Sequence, residues 1–313
     1  MSVAIPVLTA PLFSRLFGTG TRRGVTSMVL GMAAFVTNDS LIKLASATVP
    51  TGQLISVRNV LTAVLLLLIL LATRQAAQIR HCMDRAVMTR SAIDVVATIL
   101  YLVALFHMPI GNVTAINMST PLLLTAVVAI FLQIPVGWRR WSAVIVGFVG
   151  VTLIVQPRAE GFNAYSLVAL AATVFIVARD LSTRRIGKDV SSLAVALANA
   201  VFVLVGALAL SAFEGWVAVG WHELLLLGGA SLFLIVGYLL IVDAFRHGDI
   251  ATISPFRYTG LIWALGAGYL IWGDIPNGLA VAGIVIVVAS GLYVLHRERI
   301  RARDEALRSE PVE

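Results

Sequence analysis

The chain has 313 residues, 59% of them hydrophobic and only 12% charged, where an average soluble domain has about 25% charged. A net charge of +7 and a pI near 10.2 do not make a nucleic-acid binder, because the basic residues sit in short clusters between apolar runs instead of gathering on one solvated face. The single cysteine, Cys82, excludes an internal disulfide.

A membrane-spanning helix takes about 20 mainly apolar residues. Windows of that size predict ten, at 24–47, 52–73, 90–107, 113–133, 138–155, 162–183, 191–213, 223–245, 251–272 and 278–296. Arg15, Arg22 and Arg23 precede the first, but no small-residue cleavage site follows it at the right distance. It is therefore expected to be a retained helix and not a signal peptide.

Ionisable groups inside spans are costly, so each needs an account. In the first helix Asp39 and Lys43 are spaced i, i+4 and share a face. Arg58 in the second lies about as far beyond the Thr48 to Thr51 turn as Asp39 lies before it, which predicts an ion pair of Asp39 with Arg58 or Lys43. The third helix carries Asp94, Thr98 and Tyr101 as one polar stripe. In the fourth, Thr114, Asn117 and Pro121 lie along one face with Thr120 beside it. Pro121 leaves the Asn117 carbonyl without its helical partner. Ala143, Gly147 and Gly150 in the fifth predict close helix packing. Arg179 and Asp180 in the sixth are expected to neutralise each other, and Asp94 and Asp243 to bind neighbouring basic groups. The Asn-x-Ser/Thr triplets at Asn38, Asn112 and Asn117 lie in spans or a tight turn and are not expected to be glycosylated.

The stretch GNVTAINMSTP from Gly111 returns as GDIATISPFRY from Gly248. At this offset of 137, Tyr101 falls on Tyr238, Asn117 on Ser254, Thr120 on Arg257 and Pro121 on Tyr258. GVTLIV at Gly150 falls on GLYVLH at Gly291, and Ile134-Pro135 on Ile275-Pro276, at an offset of 141. Five helices per half is an odd number, so the second half runs upside down. Charge sorting agrees, since Lys and Arg gather on the cytoplasmic side. With both termini cytoplasmic, 18 of the 23 fall on that side, Arg158 alone falls in the opposite loops, and Lys43, Arg58, Arg179 and Arg257 remain within spans. The expected layout is an N-terminal cytoplasmic segment at 1–23, a first five-helix repeat at 24–155, a linker at 156–161, a second inverted repeat at 162–296 and a cytoplasmic tail at 297–313. The fold class is thus an all-α integral membrane protein of ten transmembrane helices in two inverted repeats. Such repeats recur in secondary transporters, with the substrate between them near the midplane.

The ten-helix repeat, the glycine-polar openings of helices four and nine, Pro121, and the tails LQIPVGWRRWSAVIVGFVGVTLIV and WGDIPNGLAVAGIVIVVASGLYV resemble the EamA-type drug/metabolite transporter superfamily from about Gly24 to His296. Members carry an acidic residue before the last helix of each half; Asp274 matches it, and Gln133-Ile134 departs from it. The resemblance implies a bacterial inner-membrane, multi-pass exporter of small metabolites, amino acids among them.

The residues expected to bind substrate are Asp39, Lys43, Tyr101, Asn117, Thr120, Tyr238, Ser254, Arg257, Tyr258 and Trp263. Arg257 offers a rigid fork for a carboxylate. Tyr101, Tyr238 and Trp263 offer rings to an apolar or aromatic side chain. No phosphate loop, zinc-hydrolase helix or nucleophile elbow occurs in the sequence, so no enzyme activity, cofactor or metal is expected. The expected partners are a small-molecule substrate, the lipid bilayer and, where it oligomerises, a second copy in a homodimer; nucleic acid is not among them. The alternatives from other classes are an integral-membrane enzyme using Asp39 or His107 and a channel-forming or structural subunit.

Overall fold

The computed structural model describes residues 20–309 apart from 132, 134–135, 157–162, 188 and 248, with the backbone alone at 250, 251, 298 and 301–309. The predicted N-terminal segment up to 19 with Arg15, nearly all of the linker with Arg158, Ile134-Pro135, Lys188 and Gly248 lie outside the described residues.

All regular secondary structure among the described residues is helical. The α-helices are α1 (Gly20–Ala45), α2 (Thr51–Ala72), α3 (Arg85–His107), α4 (Ile110–Asn117), α5 (Thr120–Phe131), α6 (Trp138–Val155), α7 (Tyr165–Thr183), α8 (Ser192–Glu214), α9 (Trp221–His247), α10 (Ile250–Ile253), α11 (Thr259–Ala267) and α12 (Gly278–Ser309). Among the described residues nine stretches are long and apolar enough to cross a membrane, α4 and α5 counting as one. The predicted ninth span, 251–272, is not a continuous α-helix. It is assembled from α10, a 3-10 turn at Ser254–Tyr258, α11 and a π turn at Gly268–Trp272. Pro255 explains the first change of winding, since it has no N–H to give. Beyond the tenth apolar stretch, α12 continues to Ser309 through most of the segment expected as a cytoplasmic tail. Its Arg, Glu, Ala and Leu residues are strong helix formers.

Fully apolar outer faces, such as Leu68, Val205 and Leu270 at 55, 62 and 82% exposure, are what a lipid-facing surface requires. Inside, the most extensive packing joins α1 to α9, α3 to α7, α6 to α12 and α2 to α8. Exchanging each helix of the first half with its counterpart in the second turns the pair α1–α9 into α7–α3. It returns α2–α8 and α6–α12 to themselves. The lesser contacts α3–α8 and α9–α2, and α11–α1 and α4–α7, exchange in the same way. The close packing expected of Gly150 is present: α6 crosses α12 so tightly that a Cβ at Gly283 would stand 2.5 Å from the Gly150 carbonyl oxygen.

Loop contacts sort to two ends. At one, Gln53 bonds to Val217, Gly52 to Glu214, and Gln156 to Asn277. At the other, Arg23 holds Asp243 at 2.6 Å, as expected for that acid, and Gln78 accepts from the Ser191 N–H.

Candidate functional site

A buried polar cluster lies where α1, α2 and α3 meet. Tyr101 donates to Asp39 Oδ2 at 2.6 Å, and the Asn38 amide donates to Oδ1 at 2.9 Å. Thr114 of α4 stands beside the same phenol. Arg58 is only 4% exposed, its Nε makes no hydrogen bond, and its charge acts on Asp39. The Asn38 carbonyl oxygen is likewise buried without a partner. A buried guanidinium normally spends its donors on acceptors, and leaving a charged group short costs more than the about 1–3 kcal/mol of a neutral one. The arrangement thus offers one carboxylate, one cation with a spare donor and one amide oxygen.

The expected ion pair of Asp39 is absent from the described ion pairs. The carboxylate is already taken by Asn38 and Tyr101, and Lys43 turns toward the end of the bundle. There its ammonium donates to the Met108 carbonyl and lies 5.1 Å from the centre of the Trp272 ring. Met108 ends α3, where carbonyls lack helical donors. Asp274 acts on the same ammonium through its charge, so Lys43 ties α1 to the ends of α3 and of the composite ninth segment.

The two copies of the repeated stretch do meet, though not as an open polar cavity. Between α4 and α5 the helix opens, and hydroxyls close it. Ser119 donates to the Ile116 carbonyl at 2.6 Å, Thr120 to the Asn117 carbonyl at 2.5 Å, and Tyr258 from the other copy reaches the Met118 carbonyl at 3.4 Å. The carbonyl that Pro121 was expected to leave free is therefore filled locally by Thr120, which also bonds the Asn117 side chain. Tyr258 is buried at 7% exposure against Gly291, where any Cβ would overlap its hydroxyl. Ser254 is half-buried and already engaged. Arg257 is exposed on the 3-10 turn, and Asp243 is occupied by Arg23 and Ser27. Trp263 is 43% exposed on α11.

Tyr238 does not flank a common ligand with Tyr101. Its hydroxyl donates to the Ser192 carbonyl at 2.7 Å, at the other end of the bundle, and it lines a cavity of about 440 Å³ with Arg90, Asp180 and Ser192. Arg179 bonds Asp180 at 2.8 Å, as expected, and also Asp94 at 2.9 Å.

Sequence reasoning missed Asn38, which registered only as a glycosylation triplet, and Trp272. It weighed Arg58 as a structural partner of Asp39. The signal was there for Asn38, an amide adjacent to a carboxylate inside a span. For Trp272 nothing local announced the contact with Lys43.

Comparison with known proteins follows this geometry. Residues 22–156 match the EamA-like transporter family, as the tails and the repeated stretch implied. An S-adenosylmethionine uptake transporter of Rickettsia bellii is 28% identical over 61% of this chain and 65% of its own length, just under two thirds. A pseudopaline exporter of Pseudomonas aeruginosa is 27% identical over 86% of this chain and 94% of its own. A riboflavin transporter of Vibrio cholerae is 28% identical over 69% and 73% respectively. A solved crystal structure, 18% identical, superposes with a TM-score of 0.59 over 88% of this chain and 98% of that one; at that identity it speaks for the fold alone. The chain is thus a multi-pass membrane protein similar to bacterial transporters.

Proposed function

We infer that this chain, whose first half matches the EamA-like transporter family, is a secondary transporter of small metabolites bearing an amino-acid head group. The observation that carries the reading is Arg58, buried, short of a hydrogen-bond partner and within electrostatic reach of Asp39. A substrate carboxylate supplies the acceptor Arg58 lacks. Its ammonium goes to Asp39 and the unpartnered Asn38 oxygen, with the Tyr101 ring as an apolar wall. Lys43 closes the site toward the nearer end of the bundle. Asn117, Thr120, Ser254 and Tyr258 shape the helix breaks, and Arg257 and Trp263 stand outside this site.

The relatives fit this chemistry unevenly. S-adenosylmethionine carries an α-amino-carboxylate, whereas riboflavin carries none. Export, the direction implied by the family resemblance, agrees with the pseudopaline exporter and not with the Rickettsia uptake transporter. The exchange-invariant helix pairing supports two inverted repeats, with the composite ninth segment as the tenth crossing. The family match ending at 156 supports the repeat boundary near 155. Rocking one repeat against the other then opens the site to each side in turn. Clustered arginines support cytoplasmic termini and a bacterial inner-membrane location.

Thermal stabilisation of the purified protein tests the head-group requirement. L-phenylalanine and S-adenosylmethionine are expected to raise the Tm, and phenethylamine and N-acetylphenylalanine, each lacking one charge, are not. Equal stabilisation by the truncated compounds would remove the zwitterion reading.

A further inference from the structure

The cavity at the far end of the bundle, about 440 Å³, is larger than the one beside Asp274, about 190 Å³. Its polar lining holds Arg90 of α3, Asp180 and Thr183 of α7, and Tyr238 of α9, with Ile186, Val190 and Val195 as its apolar side. Arg90 gives its Nε to the Thr183 hydroxyl at 3.2 Å, while its Nη1 is buried and bonded to nothing. That nitrogen forms only a long ion pair with Asp94 Oδ2 at 3.9 Å, while Arg179 takes Asp94 Oδ1 at 2.9 Å. Asp180 also holds Arg179, at 2.8 Å, yet keeps 35% of its side chain exposed. The guanidinium-bearing Arg90 and one accessible carboxylate thus line a cavity large enough for a small metabolite.

These residues are not a random collection. Tyr238 follows Tyr101 by 137 residues, the offset of the repeated stretch, and Asp180 lies on α7, the counterpart of the α1 helix that carries Asp39, although that offset sets Asp39 against Ile176. In the first half the tyrosine donates to its aspartate at 2.6 Å; in the second it has turned to the Ser192 carbonyl at 2.7 Å and left its aspartate open to the cavity. Each half thus carries an aspartate on its first helix and a tyrosine on its third, bonded to each other in one half and apart in the other, where Asp180 holds Arg179.

We propose that the cavity of Arg90, Asp180 and Tyr238 is a second binding station for the same zwitterionic substrate, at the opposite end from Asp39 and Arg58. It rests on the transporter reading above. The substrate carboxylate takes the Arg90 guanidinium, its ammonium takes Asp180, and its side chain lies against Tyr238 and the valines. In transit the substrate passes between two stations of like chemistry. Tyr238 swings from Ser192 to Asp180 when the second half takes the arrangement now seen in the first.

Equilibrium binding of radiolabelled L-phenylalanine and S-adenosylmethionine to purified full-length protein is the test. Wild type is expected to bind two molecules per chain of whichever compound it transports. Arg58→Gln is expected to abolish transport and keep one site. Arg90→Gln and, independently, Asp180→Asn are expected to remove the other site while Arg58 still binds, with monodisperse elution and Tm confirming that each variant folds. One site in wild type that vanishes with Arg58→Gln overturns the second station and leaves the transporter reading standing. No binding or transport of either compound by wild type overturns both.

Discussion

At the scale of single residues the account turns on how Asp39 is held. The Tyr101 hydroxyl bonds its carboxylate at 2.6 Å, and a hydrogen bond to a charged group contributes about 1.5–3 kcal/mol. Tyr101→Phe is accordingly expected to raise the half-saturation concentration for transport by at least about tenfold while the protein still elutes as a folded species; uptake kinetics in proteoliposomes measure it. Arg58→Lys keeps the charge but loses the planar fork, and is expected to fail in the same assay. Cys82 provides an independent check on the loop between α2 and α3. Burial pushes its thiol above the ordinary range, and it donates to the Ala194 carbonyl at 3.4 Å. N-ethylmaleimide is therefore expected to label it more slowly at neutral pH than it labels a free thiol, and mass spectrometry over time reads the rate. In the sequence, Asp39 and Tyr101 stood out because polar groups within apolar spans demand partners. The unsatisfied state of Arg58 did not, since spacing alone assigned it to Asp39 and only three-dimensional packing leaves the two apart.

At the scale of elements, the break between α4 and α5 is held by three hydroxyls on three successive carbonyls. Pro121 made the opening legible in advance. That Thr120 would close it was not, because a hydroxyl's choice between ligand and nearby backbone depends on a rotamer that no spacing encodes. Thr120→Val is expected to cost about 1–2 kcal/mol by exposing the Asn117 carbonyl to an apolar neighbourhood. Gly291→Ala drives a methyl into the Tyr258 hydroxyl, and overpacking of this kind costs about 1–3 kcal/mol. Adding Tyr258→Phe to Gly291→Ala removes the oxygen and is expected to recover part of the loss. Thermal unfolding in detergent follows both. Arg257 illustrates the converse error. Its charge inside an apolar stretch pointed inward by sequence reasoning, yet the 3-10 turn that Pro255 imposes leaves it on the exposed side.

For the whole molecule, helix boundaries and the order of apolar stretches were readable because lipid imposes length and hydropathy on every span. The ninth stretch kept its position and lost its regularity. Tyr101 and Tyr238, matched by the repeat in sequence, give their hydroxyls to different partners, Asp39 and the Ser192 carbonyl. If the halves rock, contacts at one end must part. Gln156 and Asn277 exchange amide hydrogen bonds there at 2.9 and 3.2 Å. Gln156→Cys with Asn277→Cys in a Cys82→Ser background, bridged by a short bis-maleimide, is expected to arrest transport, and each single variant treated alike is not. The central claim, a carrier working through Asp39 and Arg58, meets its most direct test in counterflow. Proteoliposomes loaded with unlabelled L-phenylalanine or S-adenosylmethionine and diluted into a trace of the labelled compound are expected to show transient accumulation of unchanged label, lost in Arg58→Gln. Simple equilibration without accumulation, conversion of the label to another compound, or undiminished counterflow in Arg58→Gln would contradict it.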